Sequence, residues 1–105
     1  MTTRRKGRDA IGALEAAGAK YTLGAFMESI RLGEEWSLSE MGAKIGLSRT
    51  YVSDIEHGRR SVSPQKAAAI ARKLGYHEGQ MVELALQAIV DHSKLKYRVH
   101  VQKAA

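Results

Sequence analysis

Five polar side chains of different hydrogen-bonding character, Arg49, Thr50, Tyr51, Ser53 and Asp54, surround two aliphatic ones, Val52 and Ile55, in one short stretch. A guanidinium offers several donors in a fixed plane, hydroxyls donate and accept, and a carboxylate accepts only. That mixture suits directional hydrogen-bond recognition better than bond breaking. A catalytic reading needs a constellation, and the sequence offers none: His57, His77, His92 and His100 are dispersed, and Asp91-His92 has no third partner at a useful spacing. There is no phosphate-binding glycine loop and no metal-ligand cluster. The sequence therefore predicts no enzyme, no metal and no cofactor.

The polar row must be carried by something rigid, and the residues from Ser37 to Gly58 supply it. Ser37 followed by Glu40 is a capping box. Leu38, Met41 and Ile45 then recur at helical spacing and give one apolar face. Gly42 and Ala43 are small, which suits a place where another helix crosses closely. Gly46 follows the last apolar residue as a stop, since glycine enters the left-handed conformation without steric cost. Leu47 reads as a plug and Ser48 as the cap of a second helix. In that second helix Val52 and Ile55 face the core, the polar five point away, and His57-Gly58 end it. The spacing predicts two short helices joined by a tight turn.

Ala43, the Gly46-Leu47-Ser48 turn and the Val52…Ile55-Glu56-x-Gly58 ending resemble the Cro/C1-type helix-turn-helix family, also called XRE. It includes lambdoid phage repressors, many antitoxins and restriction-modification controller proteins. The resemblance spans about Tyr21 to Gly75, and it implies an all-α, five-helix DNA-binding domain. By that alignment Arg49, Thr50 and Asp54 fall on base-reading positions, with Tyr51 and Ser53 alongside, and double-stranded DNA is the implied partner. Arg49 can bind guanine O6 and N7 with two hydrogen bonds. Asp54 departs from the amide or small residue common there. A carboxylate near phosphates is repelled, so it must accept from a cytosine amine, hold Arg49 in position, or face solvent. Ser37, Ser39, Lys44 and Ser48 match places where helix N-termini and short hydroxyls meet phosphates. The loop after the reading helix lies along the sugar-phosphate backbone in the family, which makes Arg59, Arg60 and Lys66 phosphate candidates. An arginine matching Arg31 pairs with the glutamate matching Glu56, so these two belong to the scaffold.

The flanks complete the organisation. At 105 residues the chain is long enough for one modest core. Its formal charge of +6 is unevenly spread. Residues 1–20 carry five basic and two acidic groups, residues 94–105 four basic and no acidic ones, and the middle is nearly balanced. Residues 1–20 are expected to be a basic arm with weak helical order near 9–17. Residues 21–75 form the reading core, and 76–105 a C-terminal helix plus strand. Leu23, Phe26, Met27 and Ile30 predict the first core helix, with Trp36 as a core anchor after it. Ser63-Pro64 predicts a helix start and Gly75 its stop. Glu78 to Ser93 predicts a last helix with a broad apolar face.

Leu95, Tyr97, Val99 and Val101 alternate with polar residues, the period of a β-strand. A lone strand cannot stand by itself, so pairing with a second copy across a two-fold axis is expected, giving a homodimer. With no cysteine and no apolar run near ~18 residues, a cytoplasmic, non-membrane protein is expected. The family suggests a repressor at an inverted-repeat operator. The rival is an antitoxin whose tail binds a protein toxin. RNA binding lacks the aromatic stacking platform it needs.

Overall fold

The structure, a computed structural model, describes residues 22–104. The basic arm of residues 1–20, with its expected helix near 9–17, lies outside the described residues, as does Tyr21. Five helices follow one another: α1 Leu23–Gly33, α2 Leu38–Ile45, α3 Arg49–Glu56, α4 Pro64–Leu74 and α5 Glu78–His92. The fold is all-α, and the described residues contain no strand.

Each helix begins where a side chain can accept an orphan amide. Thr22, Ser37, Ser48 and Ser63 accept from Ala25, Glu40, Tyr51 and Lys66 respectively. Ser37 and Glu40 form the complete capping box, with the Ser37 amide donating to Glu40 Oε1 at 2.8 Å. Pro64 occupies the first turn of α4, where its missing amide costs nothing. His77 caps α5 through Nδ1, 3.1 Å from the Gln80 amide. That role was not visible from residue type, because histidine is not among the usual capping residues.

The helix ends share one device. At each, the amide of the residue after a left-handed position reaches back to a carbonyl five residues earlier: Trp36 to Arg31, Leu47 to Gly42, Arg59 to Asp54, Tyr76 to Ala71 and Leu95 to Val90. The left-handed residues are Gly46, Gly58 and Gly75 at three ends, but Glu35 (φ 60°) and Lys94 (φ 59°) at the other two.

The chain divides into two compact units, one reaching to Arg60 and the other starting at Ser61. In the first, α3 packs on both α1 and α2. Leu23, Phe26, Met27 and Ile30 of α1, Met41 and Ile45 of α2, and Val52 and Ile55 of α3 are buried. Backbones approach closely at two glycines. A Cβ on Gly24 would come within 2.5 Å of the Ile55 carbonyl oxygen, and one on Gly42 would collide with the Leu47 carbonyl. Gly42 is therefore the small residue the crossing requires, whereas Ala43 is exposed. Trp36 is half-buried rather than a core anchor, and Lys44 Nζ lies 5.1 Å from its ring centroid.

In the second unit α4 packs on α5, burying Ala67, Ala68, Ile70, Ala71 and Leu74 with Met81, Leu84 and Ala85. The strand expected over Leu95–Val101 is not formed: residues 95–104 have no regular secondary structure. A lone extended segment has no ladder to join, and α5 side chains take its polar groups instead. Gln87 donates to the Tyr97 carbonyl at 2.8 Å and accepts from the Val99 amide at 2.7 Å. Glu83 accepts from the Val101 amide at 2.9 Å.

Candidate nucleic-acid interface

The scaffold of the interface is an ion pair. Arg31 Nε donates to Glu56 Oε2 at 2.8 Å and Nη2 to Oε1 at 3.1 Å, while Nη1 reaches the Trp36 carbonyl at 3.2 Å. One guanidinium thus ties the end of α1 to the last residue of α3 and to the turn between α1 and α2. The Glu56 side chain is only 1% exposed and that of Arg31 15%, so the carboxylate is out of water and depends on a guanidinium that keeps part of its surface in solvent. The hydrogen bonds to Glu56 raise the Arg31 pKa above its ordinary value, against the lowering effect of burial. Its charge is therefore fixed at any working pH.

Helical geometry sets what α3 shows to the outside. With Val52 and Ile55 buried, residues 50, 53, 54 and 57 lie opposite the core at 3.6 residues per turn. Arg49 and Thr50 are exposed, and Tyr51, Ser53 and Asp54 are half-buried. Arg49 stands in the first turn, and no interaction holds it among the described residues. Asp54 does not hold Arg49. Its partner is Arg59, whose Nε donates to Asp54 Oδ1 at 3.0 Å and whose Nη2 lies 3.4 Å from Ser53 Oγ. The alternative in which Asp54 positions Arg49 is thereby corrected: the turn at Gly58 swings the chain back, so the guanidinium five residues on arrives first.

Arg60 has its Cζ 4.2 Å from the Tyr51 ring centroid. A guanidinium over an aromatic face keeps its edge N–H groups for an anion. Ser37 and Ser48 spend their lone pairs on the caps of α2 and α3, which leaves each hydroxyl proton available to donate. Ser39 and Lys44 are exposed on α2. Lys66 sits in the first turn of α4, in the second unit, where its amide donates to Ser63 Oγ at 3.1 Å.

The sequence treated His57 only as a helix end. It shares the outward face with Thr50, Ser53 and Asp54, and its Nδ1 lies 2.8 Å from the Ser53 carbonyl. A carbonyl can only accept, so Nδ1 carries the proton in that bond. The 3.6-residue spacing from Ser53 and Asp54 was the available signal.

The arrangement presents donors and acceptors from one short helix, with cations at its rim, which is the equipment for reading base edges in a DNA groove. It defines a DNA-binding helix-turn-helix protein. A family model described as helix-turn-helix matches residues 27–80, half of the chain, and the chain belongs to this Cro/C1-type family of DNA-binding transcriptional regulators. No curated protein and no solved structure gives a match. Among the described residues no helix is long and apolar enough to cross a membrane, and no group of three His, Cys, Asp or Glu stands ready to hold a metal ion.

Proposed function

We propose that this regulator is a cytoplasmic repressor that binds an inverted-repeat operator as a homodimer, with α3 in the major groove. The observation that carries the reading is the division of α3 into a buried face, Val52 and Ile55, and an outward face of Thr50, Ser53 and Asp54 with Arg49 exposed at its start. Arg49, Thr50 and Asp54 read bases, with Tyr51 and Ser53 beside them. Ser37, Ser39, Lys44, Ser48, Arg60 and Lys66 contact phosphates and set the register.

Dimerisation is supported by the tail. The backbone groups of residues 97, 99 and 101 that hydrogen-bond do so with α5 side chains. In an extended segment those groups share one edge, and the groups of Lys96, Arg98 and His100 share the other. Leu95 and Tyr97 are 52% and 70% exposed. A second copy would pair along the open edge and cover these side chains together with Val99 and Val101. Two α3 helices would then read half-sites about one DNA turn, ~34 Å, apart. The same exposed apolar side chains, with Ile89, favour a second reading in which a protein toxin covers them. Sedimentation of the purified protein separates the two. A dimer that becomes monomeric on truncation after Lys94 supports the first, and a monomer at every concentration overturns it.

A further inference from the structure

We infer that Asp54 and Arg59 act as one unit: Asp54 accepts a hydrogen bond from the N4 amino group of a cytosine, and Arg59 is the positioning residue that makes this possible. The inference rests on the proposal that α3 reads bases in the major groove.

A carboxylate is an unusual group to bring toward DNA, because every phosphate nearby repels it. Asp54 nevertheless stands on the outward face of α3, half-buried, with Thr50 one turn before it. Arg59 changes what this carboxylate is. Its guanidinium balances the negative charge and uses Nε on Oδ1 alone, at 3.0 Å, with Nη2 near Ser53 Oγ at 3.4 Å. The Arg59 amide also donates to the Asp54 carbonyl at 2.8 Å, so both backbone and side chain of Arg59 are registered on the same residue. Among the described residues Oδ2 has no such bond, so its lone pairs are open to a donor. Among base edges in the major groove, cytosine offers only a donor there, the N4 amine, and an acceptor-only carboxylate complements it. Guanine and thymine present acceptors to the same position and would be repelled, and adenine sets its N7 acceptor beside the N6 donor, which makes it the poorer match.

Arg59 is exposed, with 57% of its side chain accessible, so a phosphate role competes with the positioning role. The two differ in what its removal does. A phosphate contact adds affinity on every sequence, and its loss lowers the salt dependence by about one unit. A positioning residue affects one base pair.

The test is binding-site selection from random duplex DNA by wild type, Asp54→Ala, Arg59→Gln and Arg49→Ala, followed by titration of the best site at several salt concentrations. Thermal melting checks that each variant is folded. We expect wild type to require a cytosine at one position per half-site, by roughly 5- to 150-fold over other bases. Asp54→Ala and Arg59→Gln should both flatten that position and leave the others intact. If Arg59→Gln weakens all sequences alike, loses about one unit of salt slope and keeps the cytosine, the positioning role is overturned. If Arg49→Ala alters the motif but no position answers to Asp54, the inference falls while base reading by α3 stands. If wild type selects no motif, base reading itself falls and takes this inference with it.

Discussion

At the scale of single residues, the most consequential pair is Arg31 and Glu56. Burying two charges is costly, and the cost is recovered only when geometry and hydrogen bonds are complete. Here the pair is bidentate and the third guanidinium nitrogen reaches Trp36. Arg31→Ala should therefore destabilise the protein by about 3–5 kcal/mol, since it leaves a carboxylate 1% exposed without its partner. Urea denaturation measures this; a loss below about 1 kcal/mol would mean that water reaches Glu56. Arg49 is the opposite kind of residue, exposed and held by nothing among the described residues. Arg49→Ala should leave stability within about 0.5 kcal/mol and lower affinity for the selected operator by ~1–3 kcal/mol. Titration against operator and scrambled duplexes checks it, with non-specific binding expected nearly unchanged. The family resemblance singled out both arginines; residue pattern alone placed only Arg49, on the polar side of its helix. The pairing of Asp54 with Arg59 was not legible, because it depends on how the chain turns at Gly58 and not on a spacing along one helix.

At the scale of elements, beginnings were easier to read than ends. Serines at 37, 48 and 63 announce helix starts because a short hydroxyl can accept a nearby amide. The stops at Gly46, Gly58 and Gly75 were legible for a steric reason. The apolar pattern also ended α1 and α5 to within a residue, but the left-handed turns that stop them went unmarked, because Glu35 and Lys94 occupy that position and nothing in their side chains signals it. Such a conformation costs about 1–2 kcal/mol outside glycine, part of which glycine's greater unfolded-state freedom offsets. Lys94→Gly should thus raise stability by about 0.5–1 kcal/mol, readable as a higher urea midpoint; a lower midpoint would show that the Lys94 backbone is unstrained. Gly24 was also missed. A lone glycine early in an amphipathic helix looks like a mere loss of propensity, and only the proximity of α1 to the end of α3 explains it. Gly24→Ala places a methyl against the Ile55 and Glu56 carbonyl oxygens, 2.5 and 2.7 Å away. Backbone cannot rotate aside, so a loss of about 1–3 kcal/mol is expected in the same assay. The alternating tail is only half a signal: period two marks an extended chain, whereas a strand also needs a partner, which one chain does not supply.

At the scale of the whole molecule, the charge of +6 is carried by the two ends of the sequence while the middle is nearly neutral. On the proposed function, the basic flanks would add general attraction to DNA and α3 would supply the discrimination. The two contributions should separate experimentally, the first fading steeply with salt and the second persisting. The most direct test of base reading by α3 in a homodimer is selection of binding sites from random duplex DNA by the purified full chain at near-physiological salt. The expected result is a two-fold-symmetric motif whose half-sites lie about one helical turn apart. Binding without any enriched motif, abolished by modest salt, would contradict it.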